Sequence, residues 1–419
     1  MQLINKINYL CVSSALALMS GAAMAGGFGI GVQSGSGTGN AFAGGAAAAD
    51  DASVAWFNPA AMTLLPGRHV AVAGHLVRPS FKFNNAGSTV PGALGTGNGG
   101  DGGDWAAIPN AYYKMDLTPD WHLGLAFNVP FGLGTEYAAG WLGQTVALKS
   151  EIVTVNVNPS LAYKVNDRLL LGGGVSIQKI DAELSRFTGA ATTGNVTLKA
   201  DDTAFGFNLG MLYQATPSTR IGVAYRSAIA YDLVGSAVFT GTSAALVSGG
   251  ATAKVKVPDS ASFSVFSTMG SKVEVMADLT WTGWSSVQQL AVIRTNTVPG
   301  GLAGSPIGTP DLFRWKDTWR ISVGANYKMS GQTKLRFGLA LDPTPTNDID
   351  RSARLPDQDR TWLALGVQYK PDGKSTFDVG YAHEFVKDAT VNNAAAAGRL
   401  IGTYSNRADI LSFQYSHRF

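Results

Sequence analysis

Residues 319–341 read WRISVGANYKMSGQTKLRFGLAL, and the parity of this stretch decides the fold class. In its first run Ile321, Val323, Ala325 and Tyr327 fall on one face, with Arg320, Ser322, Gly324 and Asn326 on the other. After the break Ser330-Gly331-Gln332 the pattern resumes, and Leu335, Phe337, Leu339 and Leu341 oppose Lys334, Arg336, Gly338 and Ala340. Side chains alternate along a strand, so this is a hairpin with one apolar and one polar face. A soluble sandwich alternates too. Here the apolar face ends in the aromatics Trp319 and Tyr327, and Trp281 and Tyr369 end neighbouring runs in the same way, as expected of girdles at two membrane interfaces.

The alternation extends outward from this hairpin. Leu363, Leu365, Val367 and Tyr369 oppose Arg360, Trp362, Ala364, Gly366 and Gln368, and Phe377, Val379 and Tyr381 oppose Asp378, Gly380 and Ala382. From about His69 onward such runs are separated by two kinds of break that take turns along the chain. Short ones fall at 117–120, 165–167, 216–219, 270–271, 330–332 and 371–373; long ones, rich in Gly, Ala, Ser and Thr, centre near Gly97, Gly143, Gly189, Gly249, Gly304, Pro345 and Ala395. Six short turns and seven long loops imply about 14 strands with both ends on the short-turn side. The expectation is an all-β chain, a transmembrane antiparallel β-barrel. No stretch after residue 25 is an uninterrupted apolar run of membrane-helix length, and in lipid only helices and closed barrels satisfy every backbone group. The last run places Leu411, Phe413, Tyr415 and the terminal Phe419 on one face, interrupted only by His417.

Composition agrees. The chain has 51 Gly, only 15% charged residues and a net charge of +3, which offers no electrostatic footprint for nucleic acid. Residues 1–6 carry one positive charge, residues 7–19 are apolar but for Asn8, Ser13 and Ser14, and Ala23-Met24-Ala25 is a small-x-small cleavage site. Residues 1–25 therefore read as a signal peptide, and this segment holds Cys11, the one cysteine of the chain. Residues 34–62, SGSGTGNAFAGGAAAADDASVAWFNPAAM, fit neither strand nor long helix. We read residues 26–67 as a hatch (plug) enclosed in the lumen and residues 68–419 as the barrel.

Prolines mark an asymmetry in the wall. Pro79, Pro109, Pro130 and Pro159 fall one in each of the first four strands, while the ten later strands have none in their interiors. In the third strand the alternation of Leu123, Leu125, Phe127 and Val129 runs into Pro130-Phe131-Gly132-Leu133-Gly134, which is either a kink or the strand's end.

Several motifs resemble the FadL-type family of long-chain fatty-acid outer-membrane transporters. They are Gln33-Ser34, Gly37 and Gly39, Ala41-Phe42-Ala43-Gly44, Ala49-Asp50-Asp51-Ala52-Ser53 and Asn58-Pro59-Ala60-Ala61-Met62 in the hatch. Further along are Asn128-Val129-Pro130-Phe131-Gly132-Leu133 with Thr135-Glu136-Tyr137, Lys316-Asp317-Thr318-Trp319-Arg320, Leu355-Pro356-Asp357-Gln358-Asp359-Arg360, and the final Phe419. The resemblance implies a monomeric 14-stranded barrel in the outer membrane of a Gram-negative bacterium. It also implies passive uptake of a hydrophobic small molecule, captured among outer loops, held beside the hatch and released sideways at a kinked third strand. The C-terminal Phe resembles the insertion signal read by the barrel-assembly machinery, and outer-membrane lipid and lipopolysaccharide would surround the wall.

The site expectations follow. The hatch motif is Asn58, Pro59 and Ala60, and the lateral opening is Asn128, Pro130, Phe131, Gly132 and Gly134. A ligand head group would meet Lys316, Arg320 or Arg360, whose alternative is pairing with carboxylates such as Asp359, Asp378 or Glu384. A ligand tail would meet Phe28, Trp141, Leu142 and the segment 290–298. Asp50 and Asp51 should cap a helix or pair with wall arginines rather than hold a metal. The five histidines suggest neither a metal site nor a catalytic one, no Ser–His pairing on adjacent strands stands out, and no cofactor is called for. Within the family, uptake of aromatic hydrocarbons is the rival reading. A general porin is disfavoured by the plug, and a lipid hydrolase by the missing Ser–His pair.

Overall fold

The computed structural model describes residues 26–189, 194–241, 247–298 and 302–419. The expected signal peptide, residues 1–25, lies outside the described residues. From His69 the chain forms 14 wall strands, several broken in two. The first five are β1 His69–Asn85, β2 Ala106–Asp116, β3 as Trp121–Asn128 and Gly132–Glu136, β4 Lys149–Lys164 and β5 Leu169–Phe187. Then come β6 Asn195–Thr216, β7 as Thr219–Arg226 and Ile229–Thr240, β8 as Gly249–Val257 and Ser260–Met269, and β9 Val273–Thr282 with a detached piece Val292–Arg294. The last five are β10 Thr318–Lys328, β11 Thr333–Asp342, β12 Arg360–Tyr369, β13 as Ser375–Val386 and Ala389–Ala394, and β14 Arg399–Arg418. Each pairs antiparallel with the next, and β14 returns to β1, from His69 opposite Arg418 to Asn85 opposite Gly402, so the barrel closes within one chain.

Exposure confirms the parity argument. Ile321, Val323, Leu339, Leu341, Leu363 and Leu365 point outward and are exposed, whereas Ser322, Asn326, Arg336, Gln368 and Asp378 point inward and are buried. Trp319, Tyr327 and Tyr369 are exposed at the ends of the apolar band. Two expectations need correction. The seventh long loop is instead a hairpin extension, because β13 and β14 stay paired up to Ala394 opposite Arg399. The later strands are also not free of proline: Pro258 lies between the two pieces of β8, facing the break at residues 227–228 of β7, because its missing N–H removes a ladder bond there.

Residues ahead of β1 meet wall groups at Asn40, Asp50 and Asn58, and carry two one-turn helices, α1 Gly35–Thr38 and α2 Val54–Phe57, and a 3-10 helix Pro59–Leu64. Asn58 explains why this motif fits no periodic template. Its side-chain oxygen accepts from the Ala60 N–H (3.1 Å) and caps the 3-10 helix, with Pro59 at the first helical position where no N–H is needed. Its amide nitrogen donates to the carbonyls of Ala46 (2.7 Å) in the hatch and Met211 (3.0 Å) in β6, so one fully buried residue ties hatch to hatch and hatch to wall. The backbones meet only because the facing wall positions are glycine. A β-carbon at Gly210 would collide with the Asn58 side chain, and one at Gly338 with the Asn40 backbone.

Charge fastens the other side of the hatch. Asp50 faces Arg336 (2.8 Å) and Lys334 (3.5 Å), and Arg336 continues to Asp378 (3.0 Å) on β13. Burial by itself would raise the Asp50 carboxyl, but Lys334 and Arg336 outweigh it and hold the group well below the usual carboxylate range. Asp51 accepts from Ser36 Oγ (2.7 Å) and from the Ser53 N–H (2.8 Å) at the start of α2. The two carboxylates thus pair with the wall and serve a helix N-terminus, as expected.

Two outcomes follow from this arrangement. Leu339→Arg, an outward position at mid-wall, should lower the stability of the protein refolded in lipid vesicles by about 2–4 kcal/mol, read by reversible denaturation. Asn58→Ala should loosen the hatch by about 1–3 kcal/mol, seen as faster amide exchange across residues 46–64 with the wall strands unchanged. Unaltered exchange there would mean that small-residue packing alone holds the plug.

Candidate functional site: a kinked wall and a line of cavities

The wall is incomplete beside β3. The β2–β3 ladder runs only from Asp116 opposite His122 to Ala111 opposite Phe127, so residues 106–110 have β1 as their sole strand neighbour. Beyond Asn128 the chain turns away at Val129-Pro130, and Gly132–Glu136 pairs with β4 alone. Pro109 and Pro130 border this gap, and Pro79 lies just past Val77, where the β1–β2 ladder ends. The backbone groups that the gap frees are taken up from inside. Ile30 N–H donates to the Pro130 carbonyl (2.8 Å), Gly132 N–H to the Phe28 carbonyl (2.9 Å), and Gln33 Nε2 to the Val129 carbonyl (3.0 Å). Residues 28–33 therefore act as a short strand sealing the kink from the lumen side. Asn128, Pro130, Gly132 and Thr135 are buried, and Phe131 is half-buried.

Cavities lie inside the wall. A small one of about 50 Å³ is walled by aliphatic residues such as Ile180, Leu198, Leu233 and Val292. It shares Ile152, Leu184, Val255 and Leu290 with a middle cavity of about 450 Å³, whose lining includes Phe28, Tyr231, Phe313 and Trp315, with Lys254, Lys256 and Arg354 as its cations. Burial lowers the Arg354 guanidinium, and Asp311, 3.2 Å away, opposes that shift. A lower cavity of about 230 Å³ reaches Pro130 and Phe131 at the kink and is lined by Ile30, Phe57, Trp284, Arg226 and Arg320 among others. Four rings stand between the middle and lower cavities. Phe28 packs at 5.8 Å from Phe131, 5.1 Å from Trp284 and 5.7 Å from Trp315, and the two tryptophans are 5.2 Å apart. Phe28 belongs to the same segment that seals the kink, so withdrawing residues 28–33 would open the ring barrier and the wall gap together.

The residues expected from sequence are only partly gathered here. Phe28 and Leu290 line the middle cavity, whereas Trp141 is fully buried in the loop core, stacked on Tyr137 at 4.3 Å, with Leu142 packed beside it; neither lines these cavities. Arg320 lines the lower cavity, yet it donates to the Ala41 carbonyl (2.8 Å) and faces Asp342 (3.9 Å). Arg360 is fully buried and engaged by Asp357 and by Glu384 (3.2 Å), the carboxylate pairing weighed as its alternative. Lys316 is exposed on an irregular segment before β10, where strand parity no longer assigns a face, so its placement in the lumen is corrected. Sequence reasoning missed Trp284 and Trp315, which sit on the loop between β9 and β10, and Arg226. Arg226 occupies an inward position at the end of the first piece of β7, opposite the neutral Asn208 and Ser260.

A Ser–His pair does exist, contrary to expectation. His75 on β1 lies opposite Ser412 on β14, its Nδ1 2.6 Å from Ser412 Oγ, and Asn110 Nδ2 is 3.0 Å from Nε2. The pairing escaped notice because the two residues are 337 positions apart and meet only when the barrel closes. Its wiring is the reverse of a hydrolase's. The Asn110 amide nitrogen also donates to the Val32 carbonyl (3.3 Å), which fixes it as a donor to Nε2 and leaves the ring proton on Nδ1, donated to Ser412. A base must accept the serine proton, not supply one. Ser412 is also fully buried against Thr38 Oγ1 (2.9 Å), so the group pins the hatch to the wall.

Comparison with known proteins places this geometry in a family. Residues 16–419 match the model described as outer membrane protein transport protein (OMPP1/FadL/TodX). The chain is 29% identical over 423 residues to outer membrane protein P1 of Haemophilus influenzae, covering 90% of each. It is 26% identical over 423 residues to the long-chain fatty acid transport protein of Escherichia coli K12, covering 90% of this chain and 92% of that one. The crystal structure of a Pseudomonas aeruginosa FadL homologue superposes with a TM-score of 0.87 at 26% identity, over 94% of this chain and all of that one. A closed, plugged barrel with a kinked third strand and a match across its whole wall leave one assignment: the chain belongs to the OMPP1/FadL/TodX family of outer-membrane transport proteins.

Proposed function

We propose that this protein carries long-chain fatty acids passively across the outer membrane. The observation that carries the reading is the ring barrier of Phe28, Phe131, Trp284 and Trp315, set between two cavities and built on the segment that seals the wall gap. An apolar chain descends from the upper loops into the middle cavity, displaces residues 28–33 and leaves through the gap between β2 and β3 into lipid. Lateral release suits such a ligand, because lipopolysaccharide impedes it at the outer leaflet and entry into periplasmic water would cost hydrophobic free energy. No covalent step is involved. We read the protein as a monomer, in line with a wall that β1 and β14 of one chain close without a second copy, and we read its last strand as the one the barrel-assembly machinery engages.

Uptake of labelled oleate and of toluene, measured in a strain lacking its own transporter, separates this reading from its aromatic-hydrocarbon rival. Oleate uptake should rise well above the empty-vector level; gain for neither compound would sink the transport reading. Gly132→Val should cut oleate uptake severalfold at normal outer-membrane abundance, because the added side chain would occupy the kink, where even a β-carbon lies 2.7 Å from Ile30 Cδ1 and makes that end give way. Unchanged uptake would count against lateral exit.

A further inference from the structure

We propose that Arg226 anchors the carboxylate head of an amphiphilic substrate in the lower cavity and so sets a preference for acids over neutral hydrocarbons; this rests on the transport reading above. The lower cavity holds two guanidinium groups with opposite surroundings. Arg320 has a carboxylate, Asp342, whose charge is further met by the Gly26 N–H at 3.2 Å. Arg226 has none. Among the described residues its partners are neutral: Ser176 Oγ at 3.1 Å, the Trp56 carbonyl at 2.9 Å, and the Trp56 ring, over which its guanidinium carbon lies at 3.4 Å. Arg336, Arg354 and Arg360 each face at least one carboxylate. Arg220, on the same face of the same strand as Arg226, lies over the Phe266 ring at 4.4 Å and does not line this cavity.

A guanidinium presents five N–H donors in a planar fork. Two are used by Ser176 and Trp56, and the side chain lines the cavity, so the remaining N–H groups are available to a bound anion. A half-buried arginine with no counter-charge within ion-pair distance forgoes that stabilisation, and stacking on Trp56 supplies only part of it. A carboxylate supplies the missing charge and fits the fork with two parallel hydrogen bonds. The same cavity offers the Ser260 hydroxyl for further hydrogen bonding, since those of Ser262 and Thr280 are bonded to each other and to Asp278, and apolar walls at Ile30, Phe57 and Phe131 for the start of an alkyl chain. A head held at Arg226 directs the tail toward Phe131 and the kink, which is the exit. The alternative role for Arg226 is a clamp on the hatch through the Trp56 carbonyl, and a clamp does not distinguish an acid from an alcohol.

The test compares oleate with oleyl alcohol, the same chain without the charge. Equilibrium binding to the purified full-length barrel in lipid nanodiscs, and uptake in the strain lacking its own transporter, are measured for wild type, Arg226→Gln and Arg226→Lys, with outer-membrane abundance checked by heat-modifiable migration. Arg226→Gln should lose about tenfold more affinity for oleate than for oleyl alcohol, as expected for removal of a charged hydrogen bond. Arg226→Lys, which keeps the charge but not the fork, should fall between. Equal losses for both ligands would reveal a hatch clamp and overturn the anchor, and so would no loss for either. Wild-type protein that binds neither ligand is a separate outcome, which overturns the transport reading and the anchor with it.

Discussion

A peptide group placed in hydrocarbon finds no water to bond, so every N–H and C=O of the wall must be satisfied by a neighbouring strand. The rest of the molecule depends on that constraint. It requires β14 to meet β1, it turns the apolar face of each strand outward, and it leaves an inward face rich in Ser, Asn, Arg and Asp that cannot stand empty without admitting solutes. The hatch fills that space. It packs through small residues because the inner face of a closed barrel is crowded, and glycines such as Gly210 and Gly338 let two backbones approach where any side chain would keep them apart.

The proposed exit lies where the constraint is relaxed. Prolines at 79, 109 and 130 have no N–H to give, and they border the one side of β3 that has lost its ladder. The freed groups of Val129, Pro130 and Gly132 are met by Gln33, Ile30 and Phe28 of the hatch rather than by another strand. This seal is a handful of hydrogen bonds and a ring, not a continuous ladder. In the passive route proposed above, a hydrophobic ligand that competes for the place of Phe28 would compete for the closed state of the wall, which couples occupancy to opening without another energy source.

Charge inside the lumen divides in the same manner. Asp50, Arg336 and Asp378 form a connected, buried set that fixes the hatch against β11 and β13, and Arg360 with Asp357 and Glu384 does the same for the loop before β12. Removing one partner from such a set leaves an unpaired charge, so these groups are committed to structure. Arg226, among the described residues, has only neutral hydrogen-bond partners. The contrast follows from register: Arg226 lies between Asn208 and Ser260, whereas Arg360 lies opposite Asp342.

Parity and turn spacing in the sequence by themselves determined the outward and inward faces of the strands and their number, because these are local or periodic properties of one segment at a time; proline placement flagged the third strand but left a kink and a strand end both open. Asn58 was visible as an anomaly for the same reason, since a residue that caps and pins fits no repeat. What only the tertiary structure decided was which segments meet: Phe28 against Trp284 and Trp315, Ser412 against His75, Arg226 against no carboxylate. Lys316 was given a face by parity, which holds only within a strand, and Trp141 was expected as a loop aromatic open to ligand, whereas the loops pack over it and stack it on Tyr137. Contacts across a closed barrel join residues hundreds of positions apart, set by shear and by which strands become neighbours, and a single sequence carries no periodic signal of that pairing.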